Sequence, residues 1–332
     1  MSNLSTVAFS MLDLVPVSVD GSIEQALRNS LNLAQHLEAL GFTRFWLAEH
    51  HNMQGIASSA TAVLIGYIAA GTTTIRVGSG GIMLPNHAPL VVAENFGTLA
   101  TLYPNRIDLG LGRAPGTDQV TMRALRRDRL EGEDFPNQVA ELRAYLDPIV
   151  PNQRVIAMPG AGTEVPVWLL GSSLYSAQLA AQLGLPYAFA SHFAPQLMHQ
   201  AIHIYRTQFQ PSSVLKEPYL CLGVPLIAAP TDEEAQFLAT TSKQRILALM
   251  RGQSLVLRPP MAIDALEASW SPAEKAAVES FLQVAVIGSP ETLKTKLEQL
   301  LADTDADELM FVSDCYEHEH RLRTFNIASS LR

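Results

Sequence analysis

Residues 75–111 read IRVGSGGIMLPNHAPLVVAENFGTLATLYPNRIDLGL. The stretch opens on a short apolar run, Ile75–Gly80, passes through a longer segment from Ala88 to Leu102, and closes on a second apolar run, Ile107–Leu111. Short apolar runs bounded by turn residues suit strands, and the longer segment between them suits a helix. Two strands joined through a helix run in the same direction, because the crossover returns the chain to the edge it left.

The same alternation extends outward in both directions. Upstream, Val7–Leu12 and Phe42–Ala48 read as strands, followed by helices over Ser22–Leu40 and Ser58–Ala70. Ser22 is placed as an N-cap and Gly41 as a helix stop. Downstream, the strands are Val165–Leu170, Tyr187–Ala190, Leu220–Ala228 and Leu309–Val312. Helices fall around Gln138–Leu146, Leu174–Leu183, Pro195–Phe209, Asp232–Met250 and Pro272–Leu282, and a last one runs to the C-terminus.

Eight strands alternating with helices predict an α/β fold, a (β/α)8 barrel (TIM barrel) formed as a single domain over residues 1–332. An open doubly wound sheet is the alternative; no Gly-x-Gly-x-x-Gly turn follows the first strand to support it. Residues 251–270, with Arg258-Pro259-Pro260, form an insertion between strands seven and eight, read as a mobile lid or as a plain surface loop. The helices over residues 60–70 and 88–102 are apolar all round, which predicts either a homodimer built through them or cover from a loop of the same chain.

The 332 residues are 48% hydrophobic and 17% charged, enough to bury a large core. Lys and Arg total 23 against 32 Asp and Glu, a net charge of −9, and no basic run is present; nucleic acid is not an expected partner. The longest apolar stretch, Ala60 to Gly71, is too short for a bilayer, which needs about 20 residues. No secretory pattern opens the chain, so a cytoplasmic location is expected. Cys221 and Cys315 form no Cys-x-x-Cys pair, which argues against a disulfide framework or a zinc knuckle.

In a barrel of this kind the chemistry sits just beyond the carboxyl ends of the strands. Glu49-His50-His51-Asn52 follows strand two. Adjacent histidines in extended chain point to opposite sides, so at most one of them faces the mouth as a base, a hydrogen-bond donor or a ligand, the alternative being a structural hydrogen bond. His87 and His192 also follow strands, but no acidic ligand cluster accompanies them, and no metal is expected. Gly78-Ser79-Gly80-Gly81 would let a flat ligand approach the backbone, or would simply make a turn. Arg113, within Gly110–Gly116, suits a phosphate or carboxylate, or an internal salt bridge. Ser172, Ser173 and Ser176 at a helix start form an anion site. Together these residues suggest a phosphate-bearing cofactor whose flat ring lies towards Gly80 and His50. Asp13, Met83 and His192 are candidates for lining the pocket.

The chain resembles the bacterial luciferase-like (alkanal monooxygenase-like) flavin-dependent monooxygenase family over nearly its whole length. The resemblance rests on RFWLAEHH (44–51), IRVGSGGIMLPNHAPLVVAEN (75–95), NRIDLGLGRAPG (105–116), PVWLLGSS (166–173), AAQLGLPYAFA (180–190) and GSPETLKTKL (288–297) in this order. It implies reduced FMN (FMNH2) supplied by a separate NAD(P)H:flavin reductase, and reaction with dioxygen at the flavin C4a to give a peroxide that oxygenates a small organic substrate. It further implies His50 as catalytic base and a non-prolyl cis peptide at Gly80-Gly81, with Ser79, beneath the flavin. Phosphate contacts then fall to Arg113, Ser172, Ser173 and Ser176. Gly112 stands where the light-emitting members carry a reactive cysteine, and Ser172 where they carry a glutamate. Other readings are a deazaflavin- or FMN-dependent hydride-transfer enzyme, a non-catalytic flavin-binding protein, and a metal-dependent barrel hydrolase.

Overall fold

The computed structural model describes residues 3–114, 117–127 and 134–332; Pro115 and Gly116 of the glycine-rich turn lie outside them. In chain order the elements are β1 (Ala8–Asp13), α1 (Ile23–Ala39), β2 (Arg44–Leu47), α2 (Thr61–Ala70), β3 (Arg76–Met83), α3 (Pro89–Leu102) and β4 (Ile107–Gly112). Then come α4 (Gln119–Ala124), α5 (Phe135–Leu146), β5 (Val167–Gly171), α6 (Leu174–Leu183), β6 (Tyr187–Phe189), α7 (Met198–Thr207) and β7 (Leu220–Ala228). The last third holds α8 (Asp232–Leu238), α9 (Thr240–Met250), α10 (Ile263–Glu267), α11 (Pro272–Phe281), β8 (Val286–Gly288), α12 (Pro290–Thr304), β9 (Glu308–Val312) and α13 (His318–Ser329).

Strands β1 to β6 pair in sequence; β6 pairs with β7, β7 with β9 and β9 with β1, all in parallel, so eight strands close into a (β/α)8 barrel. Ser22 caps α1 by accepting from the Gln25 N–H at 3.0 Å, and Gly41 takes the left-handed conformation (φ +74°) that ends it. The expected helix over Asp232–Met250 is instead two, α8 and α9. Thr240 turns its hydroxyl back to the Phe237 carbonyl and accepts the Met261 N–H, a local bond that competes with a straight helix. Beyond the expected eight strands, β8 pairs with only the far end of β7, at Leu226–Ala228, and α12 leads from it to β9.

The amino end of the barrel is plugged by charge. Asp108 accepts from Arg44 Nη1 at 2.7 Å, from Arg76 Nη2 at 2.5 Å and from Trp46 Nε1 at 3.3 Å. Glu308 accepts from Arg44 Nε at 3.1 Å, from the Ser10 hydroxyl at 2.5 Å and from the Tyr219 hydroxyl at 2.9 Å. Trp168 packs edge-on against Trp46 and Tyr219, at centroid distances of 5.1 and 5.5 Å. This plug leaves the carboxyl end as the open face.

Residues 251–270 are tied down on that face. Val19 N donates to Leu257 O and Leu257 N to Val17 O, each at 2.8 Å, while Leu255 N donates to Gln54 O at 2.9 Å. Gly55, at φ +96°, lies so close that a Cβ would stand 2.2 Å from the Leu255 carbonyl carbon. The largely apolar α2 and α3 leave large side chains in solvent, among them Val63 (72% exposed) and Leu102 (63%), with Tyr67 and Val91 between them. No helix among the described residues is long and apolar enough to cross a membrane.

Candidate active site

The ends of β1 to β6 surround a cavity of about 320 Å³ at the open face. His50, Gly80, Gly112, Arg113, Ser172, Ser173 and Ser176 all line it, so barrel closure gathers residues up to 126 positions apart.

His50 and His51 part company as strand alternation requires. His50 faces the cavity, and its backbone N–H is fixed by the Ser58 carbonyl at 3.0 Å. His51 turns away to Glu49, with Nε2 at 2.8 Å from Oε1; His87 Nε2 reaches the same oxygen at 2.8 Å, and the Met83 N–H reaches Oε2 at 3.1 Å. Burial alone would raise the Glu49 pKa, but the bonds from His51, His87 and Met83 outweigh it and hold the carboxylate at about 2. Glu49, His51 and His87 are thus an acid–histidine cluster that the sequence reading missed, because His87 lies 36 positions beyond His51 and arrives only through β3.

The Gly80-Gly81 peptide is cis. Gly80 lines the cavity, and a Cβ on Gly81 would strike Leu170, another lining residue, at 2.3 Å. Ser79 is fully buried beneath, its hydroxyl donating to Gly110 O at 2.9 Å and accepting from Gly110 N at 3.0 Å. At Gly112 a Cβ would meet Met83 Cε at 2.9 Å and Sδ at 3.0 Å, so the Met83 thioether fills the space beside it.

Arg113 is exposed at the rim, its guanidinium 4.2 Å over the Tyr175 ring, and among the described residues it pairs with no carboxylate. Tyr175 also lines the cavity; sequence gave no sign of this beyond its place in the first turn of α6. Ser173 is the N-cap residue of α6, yet its hydroxyl caps no N–H. Ser176 is buried and already engaged, donating to Ser173 O at 2.8 Å and standing 3.1 Å from the Tyr187 hydroxyl. Of the pocket candidates, Met83 and His192 line this cavity. Asp13 does not: it is fully buried and holds Arg321 Nη2 at 2.7 Å.

A second cavity of about 160 Å³ adjoins the first, and Leu14, His50, His192 and Phe193 line both. His192 Nδ1 is buried without a hydrogen-bond partner among the described residues, over Gly223, where any Cβ would stand 2.4 Å from it. Burial pulls the His192 pKa from 6.5 down to about 4, with His50 adding to the effect and Asp314 opposing it. The folded group stays neutral while the unfolded one takes a proton, so stability is full above pH 6.5 and falls as pH drops towards 4. The melting temperature is expected to decline across that window. His192→Gln should flatten the slope in part, since His318, also depressed to about 4, keeps a share; an unchanged slope would rule the assignment out.

The luciferase-like monooxygenase family model matches residues 7–308, and the chain belongs to this family. A luciferase-like monooxygenase of Escherichia coli (strain K12) is 52% identical over 329 residues, covering 98% of this chain and 97% of that protein. The crystal structure of apo-MsnO8 superposes with a TM-score of 0.90 at 35% identity, covering 99% and 98% of the two chains. The oxygenating constituent of 3,6-diketocamphane monooxygenase from Pseudomonas putida, in complex with FMN, shares the fold (TM-score 0.75, 14% identity, 97% and 96% coverage).

Proposed function

We propose that the protein is a flavin-dependent monooxygenase, taking reduced FMN from a separate NAD(P)H:flavin reductase and using dioxygen to oxygenate a small organic substrate. The supporting observation is the all-donor cradle at the rim: an Arg113 guanidinium without a carboxylate among the described residues, the Ser172 and Ser173 hydroxyls, and the first N–H groups of α6. These donors fit the phosphate of a mononucleotide, to which a helix start adds partial positive charge. Glu49, the one carboxylate lining this cavity among the described residues, is committed to His51 and His87 and does not oppose it.

When bound, reduced FMN would supply the two electrons that let dioxygen give one oxygen atom to the substrate and the other to water. Arg113 and the serines would hold the phosphate, Tyr175 would brace the guanidinium, and Ser176 would fix the carbonyl of Ser173. Gly80 and Gly81 would give the ring a wall without side chains, with Ser79 holding β3 to β4 behind it. His50, at the junction of the cavities, would move a proton through its imidazole, and no metal is assigned. Leu255 would bring residues 251–270 onto one wall of the second cavity and help exclude water.

The reading is tested by anaerobic titration with FMNH2 and with a reduced deazaflavin, followed by air. Tight FMNH2 binding and oxygen-dependent product are expected. Turnover without oxygen would replace this reading with hydride transfer, and tight FMN binding with no turnover would leave a flavin-binding protein. Arg113→Met should weaken FMN about 10- to 100-fold, the loss expected for charge-assisted hydrogen bonds, and leave phosphate-free riboflavin unaffected. Equal loss for both ligands would remove Arg113 from the phosphate site.

A homodimer through residues 60–70 and 88–102 accounts for the apolar side chains left in solvent there. Val63→Asp with Leu102→Asp should convert it to a monomer in sedimentation; a wild-type chain that sediments as a monomer would remove the interface.

A further inference from the structure

The second cavity is walled mostly by hydrocarbon, with Leu14, Ile246, Leu249, Leu255 and Phe281 among its sides. Its polar end is made by α9 and the chain after β9. Arg245 is only 7% exposed, and its Nη1 pairs with the Asp314 carboxylate. Its Nη2 is buried and, among the described residues, has no hydrogen-bond partner, although Arg245 lines the cavity. Buried donors in native proteins are almost always satisfied, so an unspent one in a cavity wall points to an occupant that supplies an acceptor.

Charge and size restrict that occupant. Asp314 also lines the cavity and already balances the guanidinium, so a carboxylate there would meet a like charge, whereas an uncharged oxygen would not. An apolar cavity of about 150 Å³ in an unrelated protein takes up benzene, and this one holds about 160 Å³. We infer that the second cavity binds a compact, uncharged molecule of about one six-membered ring, with its apolar body against the hydrocarbon wall and one oxygen acceptor on Arg245 Nη2. That this molecule is the substrate rests on the monooxygenase reading, because His50 and His192 join the cavity to the cofactor side; that it binds does not.

The test measures binding of cyclohexanone, methylcyclohexane and cyclohexanecarboxylate to the whole protein, by calorimetry or ligand-observed NMR, beside an FMN titration of the same sample. Cyclohexanone should bind and the carboxylate should not. Arg245→Lys, which keeps the charge opposite Asp314 but lacks the second nitrogen, should weaken cyclohexanone about tenfold and leave methylcyclohexane unchanged. The paired change Arg245→Met with Asp314→Leu should shift the preference towards the hydrocarbon by at least as much, and the lysine variant keeps the test open should that pair not fold. Carboxylate binding tighter than the ketone, or a ratio unmoved by substitution, would overturn the inference while FMN binding stood. Failure of FMN to bind would instead sink the cofactor reading and leave the cavity result to be judged alone.

Discussion

His50→Ala is expected to bind FMN as the wild type does and to form product about 10²- to 10⁴-fold more slowly, the range of a lost general acid or base. His50 lines both cavities, so under the proposed reading it would face cofactor and substrate alike. Its backbone is held independently by the Ser58 carbonyl, and the neighbouring Glu49 is anchored by His51, His87 and Met83. Truncation at His50 therefore removes an imidazole without releasing the end of β2. Steady-state product formation, FMN affinity and a melting curve on one preparation check this. A variant with wild-type turnover would remove His50 from the chemistry, and one that loses FMN together with turnover would make it a binding residue.

Asp108→Ala should cost about 3–5 kcal/mol of stability, the loss typical of breaking a buried ion pair from one side. The carboxylate is fully buried and receives Arg44, Arg76 and the Trp46 indole. Without it Arg44 keeps only Glu308 as a carboxylate partner, and Arg76 keeps only the carbonyls of Asn105 and Ile107. Asp108→Asn keeps an acceptor for Trp46 and should fall between the two. Urea unfolding with an unchanged slope against denaturant reads the difference directly. A loss below about 1 kcal/mol, the level of an exposed pair, would mean that the plug does not hold the barrel shut.

The sequence made the barrel legible because each strand announces itself locally. VWLL and LMFV are apolar throughout, as strands covered on both faces must be, and glycine or proline separates most of them from their helices. It made the rim legible for the same reason, since Arg113, Ser172 and Ser173 stand immediately after strand ends. Contacts that depend on closure were not legible. Asp108 meets Arg44 across 64 positions and Glu308 meets Arg44 across 264, and nothing near any of them signals a partner. The same holds for His87 on Glu49, for Tyr175 beneath Arg113 and for Met83 filling the space beside Gly112. β8 escaped notice because three residues, Val286–Gly288, are too few to show a period.

The Met83 thioether packed beside Gly112 has a consequence for how the protein responds to reagents. Cys221 and Cys315 are both buried and line neither cavity, so maleimides and iodoacetamide find no target in the mouth. What the mouth offers an oxidant is a sulfur of another kind, one whose conversion to the sulfoxide would set a polar oxygen against the glycine wall.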